Sequence, residues 1–180
     1  MQRRKPRLFA FPRDVDLAGF TQWATDAEQV RLLTEVVDAF AAVAKDRRIQ
    51  PHHLSPILRA ARHHDDQVRG VAMTRLSVLT HYFDEAIIAF ESLLRDDDIT
   101  VRRFAVLTLA NTPPRVLTSM LPAALADPDW TVRKAAATIA GALPLPQLRG
   151  LFADRLADER DARVKVVLQM AVTHQQRQTT

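Results

Sequence analysis

Four segments of the chain repeat one pattern of apolar and polar positions. Aligned on a Val followed by a base, they centre on Val68-Arg69, Val101-Arg102, Val132-Arg133 and Val164-Lys165, spaced 33, 31 and 32 residues apart. Four and eight residues after each Val the chain is apolar again, at Ala72, Ala105, Ala136 and Leu168, then at Leu76, Leu109, Ala140 and Val172. Residues at that spacing share one face of a helix. Three residues before each Val stands an Asp (Asp65, Asp98, Asp129, Asp161), placed to accept from the free N–H groups of a helix start. Five before it stand His63, Asp96, Asp127 and Glu159. Each segment therefore predicts an N-cap followed by an amphipathic helix.

A second apolar stretch precedes each cap, at 54–61, 86–94, 116–125 and 148–156, and helix-starting residues punctuate the gaps: Asp84, Pro113-Pro114, and Pro144 with Pro146. One period of about 32 residues is thus a helix, a tight turn and a second helix. The run from Asp127 through Pro128, Asp129, Trp130, Thr131, Val132, Arg133, Lys134 and Ala135 to Ala136 resembles the turn and second helix of HEAT repeats, in particular the short bacterial kind of phycobilisome-lyase-like proteins. The resemblance covers about residues 52–173 and is weakest in the first unit, where His63-His64 replaces an acid. It implies an all-α, α-solenoid fold of about five antiparallel helix pairs that binds a partner. The organisation expected is a basic arm at 1–13 and a single solenoid domain over 14–174, followed by a frayed polar tail at 175–180. Within that domain, 14–51 form a divergent capping pair, with a short helix near Asp16 to Trp23 and a longer one from Ala27 to Ala44; the repeats occupy 52–82, 83–111, 112–143 and 144–174.

Composition narrows the chemistry. No Cys is present, which removes disulfides, thiolate metal sites and cysteine nucleophiles. No apolar run approaches the length that spans a bilayer, so the expectation is a cytoplasmic protein with no membrane contact. The net charge of +4 arises from the arm, where Arg3, Arg4, Lys5, Arg7 and Arg13 meet no acid. Beyond it, residues 14–99 hold 9 bases and 15 acids, and residues 100–180 hold 11 bases and 6 acids. An acidic first half is followed by a basic second half.

The base after each Val is the most regular polar feature. A cation in the first turn of a helix opposes the helix dipole, so its recurrence calls for anionic partners, which the acidic columns can supply as a ladder between units. The competing reading is a partner-binding stripe of Arg102, Arg103, Arg133, Lys134 and Lys165 on the concave face of the second helices. Trp130 either covers a neighbouring unit or anchors a partner. Val166 and Met170, one turn apart, replace polar residues of earlier units, an apolar strip that suggests an interface or a homodimer through the C-terminal repeat. The arm residues Arg3, Arg4, Lys5 and Arg7 read either as a solvated basic tail whose aromatics Phe9, Phe11 and Phe20 seal the first helix pair, or as an electrostatic handle for nucleic acid or an acidic protein. His52-His53 and His63-His64 are too far apart along one helix to share an ion, so no metal and no cofactor are expected. HEAT-like enzymes resembling deoxyhypusine hydroxylase carry His-Glu pairs after the Val-Arg motif. Here those positions read Gly70-Val71, Arg103-Phe104, Lys134-Ala135 and Val166-Val167. The resulting expectation is a non-catalytic protein–protein interaction scaffold. The alternative is a nucleic-acid-binding solenoid of DNA-glycosylase-like kind.

Overall fold

The computed structural model describes residues 18–20 and 22–177. The basic arm with Arg3, Arg4, Lys5 and Arg7, and the end of the polar tail, lie outside the described residues. Among the described residues the structure is all-α with no strand, as expected. The helices are α1 (Ala27–Asp46), α2 (Pro51–Ala61), α3 (Asp66–Leu79), α4 (Asp84–Leu94), α5 (Ile99–Thr108), α6 (Pro114–Ala124), α7 (Trp130–Ala142), α8 (Arg149–Asp158) and α9 (Ala162–Arg177). Short 3-10 turns at Leu109–Asn111 and Pro146–Leu148 follow α5 and precede α8. The chain divides into two compact units, residues 1–76 and 77–180, with the boundary inside α3.

In the first unit α1 packs on α2. Asp26 caps α1 by accepting from the Gln29 N–H at 2.8 Å, and the helix buries Leu33, Val36, Phe40 and Val43 on one face. It ends at Arg47, whose left-handed backbone (φ 53°) lets its N–H reach the Val43 carbonyl. Pro51 opens α2, where a missing N–H costs no intrahelical bond.

In the second unit the second helices pack side by side, α5 on α7 and α7 on α9, while α4, α6 and α8 pack on α5, α7 and α9 in turn. The aligned columns explain the packing. Val101, Val132 and Val164, then Ala105, Ala136 and Leu168, then Leu109 and Ala140, are all buried, with Val172 half-buried at the end. Small residues let the helices approach closely: Gly141 of α7 faces Ala171 of α9, so near that an added Cβ would already be in van der Waals contact. Leu109 enters the core from a 3-10 turn rather than from α5, because the helix stops at Thr108.

One expectation is corrected at the C-terminus. Gln175, expected to begin a frayed tail, lies within α9 and is 1% exposed. Its Oε1 accepts from the Leu145 N–H at 2.9 Å, while Nε2 donates to the Ala140 and Leu143 carbonyls at 2.8 and 2.6 Å. The end of α7 and the link to α8 leave backbone groups without intrahelical partners, and one amide side chain satisfies three of them.

Candidate functional site

Each turn between a first and a second helix is built the same way. Asp65, Asp98, Asp129 and Asp161 accept from the N–H groups of Gln67, Thr100, Thr131 and Arg163 at 2.7–2.9 Å. Two residues earlier, Asp96, Asp127 and Glu159 accept from the N–H groups of Asp98, Asp129 and Asp161 at 3.2, 2.8 and 2.9 Å. In the first turn His63 takes that role, its Nδ1 accepting from the Asp65 N–H at 3.1 Å. A neutral imidazole nitrogen is an acceptor of the same reach, so the acid can be replaced without losing the turn.

At Arg102 and Arg133 the base after the Val closes its own turn and joins it to the next. Arg102 donates through Nη1 to the Asp96 and Asp97 carbonyls at 2.8 and 3.1 Å, and through Nε and Nη2 to the two carboxylate oxygens of Asp127 at 2.8 and 3.1 Å. Arg133 repeats this geometry with the Asp127 and Pro128 carbonyls and, 26 residues onward, the Glu159 carboxylate. Arg69 likewise donates to the His63 and His64 carbonyls and pairs with Asp66 of its own turn. Only a guanidinium presents the fork that reaches a carboxylate and two carbonyls at once. Hydrogen bonding to Asp127 and to Glu159 raises the pKa of Arg102 and Arg133 above the ordinary value, and Arg133 holds the Glu159 carboxyl below its own. Both pairs are largely withdrawn from solvent, with side-chain exposures of 12% and 8% for the first and 19% and 6% for the second. Arg102 and Arg133 thus point into a ladder between successive turns, not outward, so the expected stripe of five cations is divided.

What remains of it is Arg103, Lys134 and Lys165. Lys165 stands in the ladder column but is exposed and makes no ion pair among the described residues. Arg103 and Lys134 are two residues beyond the buried Val of α5 and α7, a column that continues as Val166 in α9. The next column, one turn on, is Leu107, Thr138 and Met170. Leu107, Val166 and Met170 are 44%, 56% and 65% exposed, Lys134 and Thr138 are exposed and Arg103 is half-buried, so both columns lie toward solvent in α5, α7 and α9. The apolar pair of α9 is therefore exposed by its place on a common face, and not because a covering unit is missing beyond it. No Asp or Glu occurs within α5, α7 or α9.

Trp130 opens α7 on the neighbouring column and is half-buried. The Arg163 guanidinium lies over its ring, 3.3 Å from the centroid, and is itself held by Asp161 at 3.0 and 2.6 Å. That pairing with Arg163 drives the Asp161 carboxyl down to about 2. Sequence reasoning missed Arg163, because its two partners lie at the starts of two different helices. It also missed a cleft of about 680 Å³ between α4 and α6, lined by Ile87, Glu91, Leu94, Met120 and Ala123, with the Arg102–Asp127 pair in its wall. Among the described residues, no group of three His, Asp or Glu side chains is placed to hold a metal ion, and no helix is long and apolar enough to cross a membrane.

A recurring helix–turn–helix with an Arg–carboxylate ladder defines a repeat family, and the family model described as HEAT repeats matches residues 87–172. Over these residues the chain is similar to HEAT repeats. No curated protein matches the chain. The matched HEAT segment contains both closed rungs of the ladder, the Arg163–Trp130 stack and nearly all of the acid-free face. HEAT repeats as a class serve protein–protein scaffolding.

Proposed function

We propose that the protein is a non-catalytic interaction scaffold whose contact surface is the solvent-facing side of α5, α7 and α9. The observation that carries this reading is the division of labour within each second helix. One face supplies the buried Val and Ala columns and, in α5 and α7, the ladder Arg, while the opposite face presents Arg103 and Lys134, unpaired among the described residues, beside exposed Leu107, Val166 and Met170. A wall whose own polar groups are already satisfied can bind with little reordering. The repeat period of 31 to 33 residues supports the finer reading that these are short repeats of the phycobilisome-lyase-like kind. With Arg102 and Arg133 turned inward, the free cations are too sparse to follow a phosphate backbone, which favours a protein partner over the nucleic-acid alternative.

The test places a photo-crosslinking residue at exposed Thr138 on this face, or at exposed Ser92 on α4, and irradiates the protein in cell extract. A discrete protein adduct formed from position 138 and not from 92 is the expected result. Adducts only from 92, or adducts from 138 that vanish on nuclease treatment, would refute it.

A further inference from the structure

Resting on that surface, we propose that its occupant is an acidic amphipathic helical segment of another protein. Charge is the first argument. The three second helices carry seven Arg and Lys residues and not one Asp or Glu. Arg102 and Arg133 are consumed by the ladder and Arg163 by Asp161 and Trp130, whereas Arg103 and Lys134 on the free face have no ion pair among the described residues. Arg103 is half-buried and Lys134 exposed, so the solvent-facing ends of both can be met from outside. An incoming carboxylate gains a charge-assisted bond at each.

Shape gives the second argument. Neighbouring helix axes lie about 8–10 Å apart, so Arg103 on α5 and Lys134 on α7 are separated by roughly one such step. Two acids about two turns apart on a helix span roughly 10 Å and match it. The remaining positions are apolar where the cations stop: Val166 and Met170 on α9 and Leu107 on α5. An occupant must therefore carry acids toward α5 and α7 and apolar side chains toward α9, which an amphipathic helix does with residues spaced by three, four and seven. A second copy of this chain laid face to face offers these cations no carboxylate, because α5, α7 and α9 carry no Asp or Glu, and is disfavoured on charge. A nucleic-acid strand finds only Arg103, Lys134 and Lys165 beside three large apolar side chains in its path.

The experiment is a display selection with a helix-favouring random peptide library of about four turns, using the full chain as bait. Enriched peptides are expected to be acidic, with apolar residues at i, i+3 or i+4, and i+7. Their affinity is expected to fall at least about ten-fold for Lys134→Glu, and likewise for Val166→Ser with Met170→Ser, while peptides with Glu replaced by Lys regain binding to Lys134→Glu. Lys134, Val166 and Met170 are exposed, so these variants fold. Enrichment of neutral or basic peptides whose binding depends on this face would overturn the acidic partner and leave the scaffold surface standing. Enrichment insensitive to every face substitution would overturn both. Binding of a short DNA duplex in preference to any enriched peptide would replace the proposal with the nucleic-acid reading.

Discussion

At Arg102 and Arg133 the choice of Arg over Lys is dictated by geometry: a carboxylate and two turn carbonyls must be reached from one side chain. At the corresponding position of α9 a Lys suffices, because Lys165 makes no such contacts among the described residues. The Glu159 carboxyl, lowered by Arg133, makes the ladder pH-dependent in a definite direction. A depressed folded pKa contributes stability above the unfolded value of about 4.3, and that contribution disappears as pH falls through the folded value. The stability advantage of wild type over Glu159→Gln, followed by thermal melts across pH, is therefore expected to be constant near neutrality and to vanish in strong acid. An advantage that grew on acidification would contradict the pairing. Gln175 is the second instructive residue. Gln175→Ala strands one N–H and two carbonyls in a buried setting and is expected to cost about 3 kcal/mol, read from urea unfolding, whereas truncating the exposed Gln176 changes stability by less than about 0.5 kcal/mol.

Helix boundaries follow from local chemistry that the sequence displays openly. The Asp caps of α5 and α7 and the Pro-marked start of α6 sit where the pattern puts them, since both act through backbone groups within three residues. The 3-10 ending of α5 and the αL ending of α1 at Arg47 are not displayed, because packing rather than propensity ends those helices. Gly70 tests what is left to propensity. It lies inside α3, and a Cβ there would meet nothing within 4 Å. Gly70→Ala is thus expected to stabilise the protein by about 0.5–1 kcal/mol, a rise in Tm of roughly 1–4 °C; a fall would mean that the helix needs glycine there for an approach the structure does not show.

For the whole molecule, the cationic character of the free face bears on oligomeric state. Isologous pairing through Val166 and Met170 sets two faces that carry bases and no acids against each other, so sedimentation is expected to show a monomer through the micromolar range. Concentration-dependent association abolished by Val166→Lys with Met170→Glu would instead establish the homodimer. The repeat, its caps, its buried columns and the all-α architecture were written in residue spacing, because helix periodicity and capping are local and recur four times. Which way each cation points was not. Arg102 and Arg103 are adjacent bases in one helix, yet one closes a ladder to a residue 25 positions away and the other lies on the open face. The pattern puts Gln175 in the tail and leaves Trp130 between covering a neighbouring unit and anchoring a partner; in the fold Gln175 is buried and Arg163 lies over the Trp130 ring. Contacts of this kind depend on where the following helix pair lands, and a one-dimensional pattern carries the period of that stacking but not the direction of a side chain across it.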